Sequence, residues 1–441
     1  MTRAFVLHPD LRLRARDDDP GERRAPDRAL EEVVGLADAI ELEIAGAEVV
    51  PLPKPSPGHL FGSGKVEELA GRFKGADAEV VVIDGPVTPV QQRNLEKAWK
   101  VKILDRTGLI LEIFGERAGT REGVLQVELA ALEYARTRLV RSWTHLERQR
   151  GGLGFVGGPG ETQIEADRRA ISERIKQIER RLERVVKTRG LHRAARDKVP
   201  YPVVALVGYT NAGKSTLFNR LTEAGVMAED MLFATLDPTM REIRLASGRK
   251  VILSDTVGFV SELPTQLVAA FRATLEEVLA ADVIIHVRDV AHPDAEVQRQ
   301  DVLSVLAELG VDEARREGII EARNKIDLVE GEPRLALLNE TARADDAVAV
   351  SALTGEGVAD LLAAIEARLA ARAEIRRLRV PHDAGGGVAW LHARMRVLSE
   401  DADETGTLVE AEGDPEDFAR FLRRFPAARP AGDPPALRAA Q

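Results

Sequence analysis

The amino-acid sequence predicts an α/β protein whose central part is a doubly wound, mostly parallel sheet. Its 441 residues exceed the size at which one hydrophobic core stops growing, so several domains are expected. At 200–372 apolar strand-like runs alternate with amphipathic helical runs, whereas at 124–199 only helical periodicity appears. We predict four domains: a small α/β domain at 1–123, a helical hairpin with a glycine-rich tip at 124–199, the doubly wound domain at 200–372, and a small α+β domain with a disordered tail at 373–441.

Composition excludes several classes of protein. The chain has no cysteine, which rules out disulfides, thiolate metal ligands and thiol catalysis. No stretch is long and apolar enough for a membrane helix, and residues 1–10 lack the apolar core of a signal peptide, so we expect a cytoplasmic protein. The net charge of −10 argues against nucleic-acid binding over the whole surface, although a local basic surface is compatible with it.

The first domain is predicted from strand-like runs at 79–84 and 101–104, with a polar helix at 91–99 between them. Within it, the motif Gly62-Ser63-Gly64-Lys65 resembles part of a phosphate-binding loop. His59, however, stands where that loop needs its first glycine. We therefore interpret the motif as the start of a helix and not as a second nucleotide site.

Residues 124–199 are predicted to form two long helices packed lengthwise. Between residues 136 and 198, seventeen Lys and Arg stand against eight Asp and Glu, so the basic charge is concentrated there. One interpretation is a solvated helix pair with internal ion pairs, and the other is an RNA-binding surface. Aromatic side chains and a glycine-rich tip favour RNA. The packing residues are Ile171, Ile175, Ile178, Leu182 and Val185, and the candidate stacking residues are Trp143, His145 and Phe155.

The doubly wound domain and the C-terminal part are read from their runs of apolar residues. In the former, strands are expected at 203–207, 251–254, 283–287, 319–322 and 348–350. The strand at 319–322 is more polar than a buried strand should be, so it should lie near an edge of the sheet. His286 is expected to be a packed residue and not a ligand. The C-terminal part should contain strands at 390–397 and 407–411, a solvated acidic turn at 400–404, a helix at 415–425 and a disordered tail from Pro426.

One motif lies between the apolar strand at 203–207 and a helical run. Its glycines allow successive backbone N–H groups to surround phosphates, Lys214 can bridge the outer two phosphates, and the Ser215 hydroxyl can bind magnesium. The alternative, a glycine turn with a chance lysine, does not explain the strand and helix on either side. The predicted contacts are Gly208, Tyr209, Thr210, Asn211, Ala212, Gly213, Lys214, Ser215 and Thr216.

Three further motifs follow in the order expected of a guanine-nucleotide site. Asp255 can hold magnesium through water, and Gly258 can donate its N–H to the terminal phosphate. Asp327 can accept from both N1–H and the exocyclic amine of guanine, a pattern that adenine cannot supply. The sequence thus predicts a P-loop GTPase domain in which Lys214 and Gly258 act on the phosphates of GTP. The motifs are Asp255-Thr256-Val257-Gly258, Asn324-Lys325-Ile326-Asp327 and Ser351-Ala352-Leu353.

Together with two glycine-rich motifs and one loop, these residues resemble the HflX family of ribosome-associated GTPases, over residues from about 30 to 372. The resemblance implies an N-terminal domain that docks on the large ribosomal subunit near its catalytic centre, and a role in rescuing or splitting stalled ribosomes. It also implies that Thr235 reaches magnesium, with Thr239 as the alternative. The additional motifs are Gly152-Leu153-Gly154-Phe155, Gly158-Pro159-Gly160-Glu161 and Phe233-Ala234-Thr235-Leu236-Asp237-Pro238-Thr239.

Phe259 stands where many regulatory GTPases have a glutamine that orients the attacking water. A hydrophobic side chain cannot position water, and the family shares this substitution, so hydrolysis should be slow without a partner or a cation. Asn211 matches the position at which similar potassium-stimulated GTPases hold that cation. Potassium is therefore a further expected cofactor beside magnesium.

We expect a monomer whose partner is the ribosome, through the large subunit and its RNA. Charge reversals at Arg138, Arg141 and Arg148 should then weaken ribosome binding. Two alternatives remain open. The first is a GTPase switch acting on a protein or tRNA-modification partner, with the hairpin as a dimerisation coiled coil. The second is an RNA-remodelling ATPase that acts through the N-terminal domain.

Overall fold

A computed structural model describes residues 2–11, 24–149, 159–196, 201–222, 233, 239–261, 277–371, 373–384, 386–413 and 415–431. The chain forms two compact units, Met1–Leu361 and Leu362–Gln441. The first contains two mostly parallel sheets and a helical hairpin, and the second contains an antiparallel sheet. The predicted α/β class is confirmed. Among the described residues, no helix has the length and apolar character needed to cross a bilayer.

The N-terminal sheet is built from four parallel strands in the order β2-β1-β3-β4. Its core contains aromatic rings, with Phe73 edge-on to both Phe5 and Trp99. Strands β3 and β4 and helix α3 lie close to their predicted positions, whereas β1 and β2 were not predicted. The elements are β1 (Arg3–Asp10), α1 (Pro26–Asp38), β2 (Glu43–Pro51), α2 (Ser63–Gly75), β3 (Val80–Ile83), α3 (Pro89–Trp99), β4 (Lys102–Asp105) and α4 (Arg106–Arg117).

The glycine motif at residues 62–65 forms the start of α2. Gly62 is the residue before the first turn of that helix. The Lys65 amine donates to Glu48 at 2.9 Å and to Glu68 at 3.0 Å. This confirms the interpretation of the motif as a helix start.

The hairpin consists of α5 (Arg121–Gln149) and α6 (Pro159–Arg196). Leu125 on α5 is buried, as are Ile175 and Ile178 on α6. Residues 150–158, in the glycine-rich tip, lie outside the described residues. Between residues 165 and 185, α6 carries seven basic and five acidic side chains, so most of the basic excess lies elsewhere in the hairpin.

Arg138, predicted from charge to be an RNA contact, makes several contacts within the chain. Its guanidinium donates to Asp105 and Gln92 and lies over the Tyr134 ring, 4.3 Å from the ring centre. Its side chain is 19% exposed. Arg138 therefore joins the hairpin to the end of β4 and to α3, and these contacts make it a weaker candidate for an RNA contact than its charge suggests.

The central sheet has the order β10-β9-β8-β5-β7-β6, and only β6, which was not predicted, runs antiparallel to its neighbour. All five predicted strands are present. Helix α7 follows β5 directly, as the phosphate-loop motif requires. The elements are β5 (Val203–Val207), α7 (Lys214–Thr222), β6 (Thr239–Arg244), β7 (Lys250–Asp255), β8 (Val283–Asp289), α8 (Ala295–Glu308), α9 (Glu313–Glu317), β9 (Ile320–Asn324), α10 (Gly331–Thr341), β10 (Ala347–Ala349) and α11 (Val358–Ala371).

The polar strand β9 and the buried His286 are unusual for the interior of a sheet, and the structure explains both. The polar strand β9 lies one strand in from the edge, and its Glu321 pairs with Arg288 at 3.1 Å and with Arg323 at 2.9 Å. His286 is buried, and burial lowers its pKa to about 4, so it is neutral at pH 7. The expectation that His286 is a packed residue is confirmed.

The second unit contains an antiparallel sheet in the order β12-β13-β11-β14. Three predictions were wrong. Trp390 lies in a helix, and the strand predicted at 390–397 begins only at Arg396. The acidic run at 400–404 is exposed as expected, but most of it is strand and not a turn. The chain after Pro426 forms the short strand Arg429–Pro430, and residues 432–441 lie outside the described residues. The elements are β11 (Glu374–Val380), α12 (Gly387–Arg394), β12 (Arg396–Asp403), β13 (Gly406–Gly413), α13 (Pro415–Arg424) and β14 (Arg429–Pro430).

Candidate nucleotide site

The loop between β5 and α7 adopts a backbone that only glycine tolerates at two points. A Cβ atom on Gly208 would lie 2.2 Å from the Val287 carbonyl oxygen. Gly213 has a φ of +91°, and a Cβ there would lie 2.3 Å from Asn324 Nδ2. The same Asn324 nitrogen donates to the Ala212 carbonyl at 2.8 Å. The first and third motifs are therefore in direct contact.

Lys214 is buried at the start of α7, and its amine donates to the Tyr209 carbonyl at 2.8 Å. Burial lowers its pKa to about 8, and the negative charge of Asp255 opposes only part of that shift. The Ser215 hydroxyl donates to the Asp255 carboxylate at 2.7 Å. A hydroxyl and a carboxylate held together are hard oxygen ligands of the kind magnesium prefers, so these residues fit that ion. Thr216 follows in the same helical turn.

Gly258 lies against the phosphate loop. A Cβ on it would approach Thr210 Cγ2 to 2.8 Å and the Lys214 amine to 3.0 Å. The next residue, Phe259, donates its N–H to the Gly208 carbonyl at 3.1 Å and accepts from Thr210 N at 2.7 Å. Its side chain is only 2% exposed. Phe259 thus packs in the protein interior, and its backbone fixes the segment after Gly258 to the phosphate loop.

The residues predicted to recognise the base meet at the ends of β9 and β10. Ser351 Oγ donates to Asp327 Oδ1 at 2.5 Å, and Ala352 N donates to Asn324 Oδ1 at 2.9 Å. Lys325, in left-handed conformation, pairs with Asp289 at 2.9 Å. Ile326 begins the short 3-10 turn Ile326–Leu328, and Leu353 is 70% exposed.

Of the predicted loop between α7 and β6, only Phe233 and Thr239 are described. Phe233 is buried and packs edge-on against Phe114 of α4, with ring centres 4.8 Å apart. Thr239 begins β6. Ala234, Thr235, Leu236 and Asp237 lie outside the described residues.

A buried network that sequence reasoning missed joins the N-terminal sheet to this site. Glu32 of α1 accepts from the Tyr209 hydroxyl at 2.5 Å and from Ser261 Oγ at 2.9 Å. The Tyr209 hydroxyl in turn accepts from Ser261 N at 2.6 Å. Arg106 donates to Glu32 and to the Ser261 carbonyl, and Arg24 pairs with Glu32 at 2.5 Å. A tyrosine in the phosphate loop was the only sequence signal for it.

Charges in this network stabilise one another. Burial alone would raise the pKa of Glu32, but Arg106 and Arg24 together with the Tyr209 hydrogen bond hold it below its usual value. Burial and the Glu32 charge raise the pKa of Tyr209. Glu32 is therefore a carboxylate and Tyr209 a neutral hydroxyl at pH 7.

Comparison with known proteins identifies the family. A family model described as "50S ribosome-binding GTPase" matches residues 203–325, and one described as "HflX C-terminal domain" matches residues 336–425. Models for an N-terminal and a middle region of GTP-binding GTPases match residues 27–115 and 117–196. A GTPase HflX from Magnetococcus marinus is 52% identical over 391 residues, covering 88% of this chain and 89% of that protein. The chain belongs to the GTPase HflX family.

Other HflX proteins are similar over the same extent. The GTPase HflX of Escherichia coli is 45% identical over 386 residues, covering 87% of this chain and 88% of that protein. A crystal structure of a GTP-binding protein from Sulfolobus solfataricus in complex with GDP is 23% identical with a TM-score of 0.43, and covers 83% of this chain and 98% of that chain. That likeness is too distant to bear on the site. As a member of the HflX family, the chain is a GTPase.

Nucleotide affinity should depend on pH through Lys214. We expect GDP affinity to be constant below pH 8 and to fall up to about tenfold per pH unit above it, because the neutral amine no longer attracts phosphate. Without nucleotide, the unfolded chain, with a lysine pKa of 10.5, binds more protons than the native state above pH 8, so the free energy of unfolding rises with pH there. Titration of a fluorescent GDP analogue across this pH range measures the change in GDP affinity.

Lys214→Arg, which keeps its charge, should remove the pH dependence of GDP affinity. A wild-type affinity that does not change with pH would contradict the assignment of Lys214 as the phosphate contact.

Proposed function

We propose that this HflX-family GTPase associates with the large ribosomal subunit in a nucleotide-dependent way and acts on stalled ribosomes, by rescuing or splitting them. The observation that carries the proposal is the match of residues 203–325 to the ribosome-binding GTPase model, supported by relatives similar over most of the chain. We further infer a cytoplasmic, monomeric protein.

In this proposal the site binds GTP with one magnesium ion. Lys214 and the Gly258 N–H contact the outer phosphates, and Asp327 selects guanine. Ser215 and Thr235 would hold magnesium directly, and Asp255 would hold it through water. The ion neutralises charge that develops on the phosphates during hydrolysis. Asn211, exposed and in left-handed conformation, is the proposed potassium contact.

The buried network gives the N-terminal sheet a route by which to respond to nucleotide. Tyr209 lies in the phosphate loop and Ser261 lies three residues after Gly258, and both bond to Glu32. A movement of this segment toward a terminal phosphate would alter those bonds. GTP and GDP would then favour different arrangements of the N-terminal sheet, which is the differential affinity that a switch requires.

Ribosome pelleting with GDP and with a non-hydrolysable GTP analogue tests the proposal, and we expect stronger pelleting with the analogue. The double charge reversal Arg141→Glu and Arg148→Glu should weaken pelleting and flatten its salt dependence, because each lost phosphate contact lowers the slope by roughly 0.7 to 0.9. Arg343→Glu, at an exposed position in the turn after α10, is the control. Hairpin variants that pellet like wild type at every salt concentration would contradict the RNA contact. A concentration-dependent dimer lost in the same variants would favour the coiled-coil alternative.

A further inference from the structure

The loop after β10 is a compact turn held by its own backbone. Ser351 N donates to the Glu356 carbonyl at 2.9 Å, and Gly355 N donates to the Ser351 carbonyl at 2.8 Å. Gly357 has a φ of +72°, and a Cβ on it would lie 1.9 Å from the Ala349 carbonyl oxygen. These bonds define the shape of the turn, but they do not fix its position over the base site.

Arg220, in the last turn of α7, holds this loop from the phosphate side. Its Nε donates to the Ala352 carbonyl at 3.2 Å, and its Nη2 donates to the Leu353 carbonyl. The two contacts use the fork of one planar guanidinium, a geometry that lysine cannot reproduce. Arg220 lies on the helix that begins at Lys214, six residues or roughly 9 Å earlier. One rigid element therefore carries both a phosphate contact and the support of the base loop.

Arg334 of α10 also holds this loop. Its Nη1 donates to the Ile326 carbonyl at 2.8 Å, next to Asp327. Its Nη2 donates to the two Glu356 carboxylate oxygens at 2.6 and 2.8 Å. Arg334 thus connects the turn that carries Asp327 to the loop that carries Ser351–Leu353.

We propose that Arg220 and Arg334 are specificity-determining positioning residues for the guanine base. Together with the hydrogen bonds from Ser351 to Asp327 and from Ala352 to Asn324, they set the distance between the Asp327 carboxylate and the Ala352 N–H group, without themselves touching the nucleotide. The inference rests on the proposed base site. Because GTP and GDP share the base, loss of either arginine should weaken both equally. It should also reduce discrimination by Asp327, whose two hydrogen bonds to guanine depend on its placement.

The test compares Arg220→Gln and Arg334→Gln with Arg343→Gln, an exposed arginine in the turn after α10, in the full-length protein. We expect affinities for GDP and GTP to fall together by about tenfold in the first two variants, with kcat at saturating GTP retained. The preference for GTP over inosine triphosphate, which lacks the exocyclic amine, should narrow. Arg220→Lys should recover only part of the affinity. Melting of the nucleotide-free proteins checks the fold.

Unchanged affinity in both arginine variants would overturn the proposal, as would a fall in kcat that matches the fall in affinity. Full recovery by Arg220→Lys would overturn the role of the planar fork. Asp327→Asn separates this failure from failure of the base site, because it should shift preference from GTP to xanthosine triphosphate. If Asp327→Asn keeps the wild-type preference, the base site itself is wrong and the inference falls with it.

Discussion

Lys214→Ala should lower affinity for GTP and GDP by at least about a hundredfold. The Lys214 amine is buried, lies beside the Asp255 carboxylate and adjoins the segment at Gly258. Bonds from a buried cation to two phosphates are charge-assisted, and alanine supplies neither the charge nor the donors. Equilibrium titration with both nucleotides measures the loss.

The matched control is Lys97→Ala, which removes an exposed lysine from α3. It should leave nucleotide affinity unchanged. The Lys214→Ala protein should also fold, because burial lowers the pKa of Lys214 to about 8 despite the nearby Asp255 charge, so the charged amine is not a net source of stability without nucleotide. A folded Lys214→Ala variant that binds GTP within a few-fold of wild type would show that the phosphates bind elsewhere. Loss of the GTP-favoured ribosome complex in this variant would connect nucleotide to docking.

That the guanine-nucleotide motifs lie close together at one edge of the central sheet was predictable from their order along the chain. Lys214, Asp255 and Asn324 each follow or end a predicted parallel strand, and the carboxyl ends of parallel strands lie at one edge of a sheet. The local glycine requirement at Gly208 and Gly213 was also readable, because close backbone approach is a property of the loop itself.

Other features depended on contacts between distant segments. Glu32 and Arg106 carry no motif, and their roles arise from contacts of α1 and α4 with Tyr209 and Ser261. Arg138 belongs to a basic run, so charge alone suggested solvent exposure, whereas its partner Asp105 lies at the end of β4. The two-residue strand Arg429–Pro430 exists only through pairing with β11. Periodicity and local composition contain no information about such pairings.

Glu32→Gln should lower the free energy of unfolding by about 3–5 kcal/mol at neutral pH. The Glu32 side chain is 8% exposed and pairs with Arg106, which is 6% exposed, and with Arg24, which is 13% exposed. Removal of its charge breaks both of these ion pairs in a desolvated site and leaves Arg106 paired with Asp84 and Arg24 paired with Asp294. It also weakens the bond that joins Tyr209 to α1. Urea unfolding followed by circular dichroism measures the change.

The matched control for this prediction is Glu31→Gln, which neutralises the preceding, exposed residue of α1. This change should lower the free energy of unfolding only slightly. The pKa of Glu32 is lowered in the folded state, so its contribution is complete above its ordinary pKa of 4.5 and is lost as pH falls through the folded value. The difference in the free energy of unfolding between wild type and Glu32→Gln should accordingly become smaller at acid pH. Arg106→Met combined with Glu32→Gln should be less destabilising than the sum of the single changes, because both single changes remove the same Arg106–Glu32 ion pair. If Glu32→Gln costs no more than Glu31→Gln, the network does not stabilise the contact between the N-terminal sheet and the nucleotide site, and the proposed route for the nucleotide response loses its support.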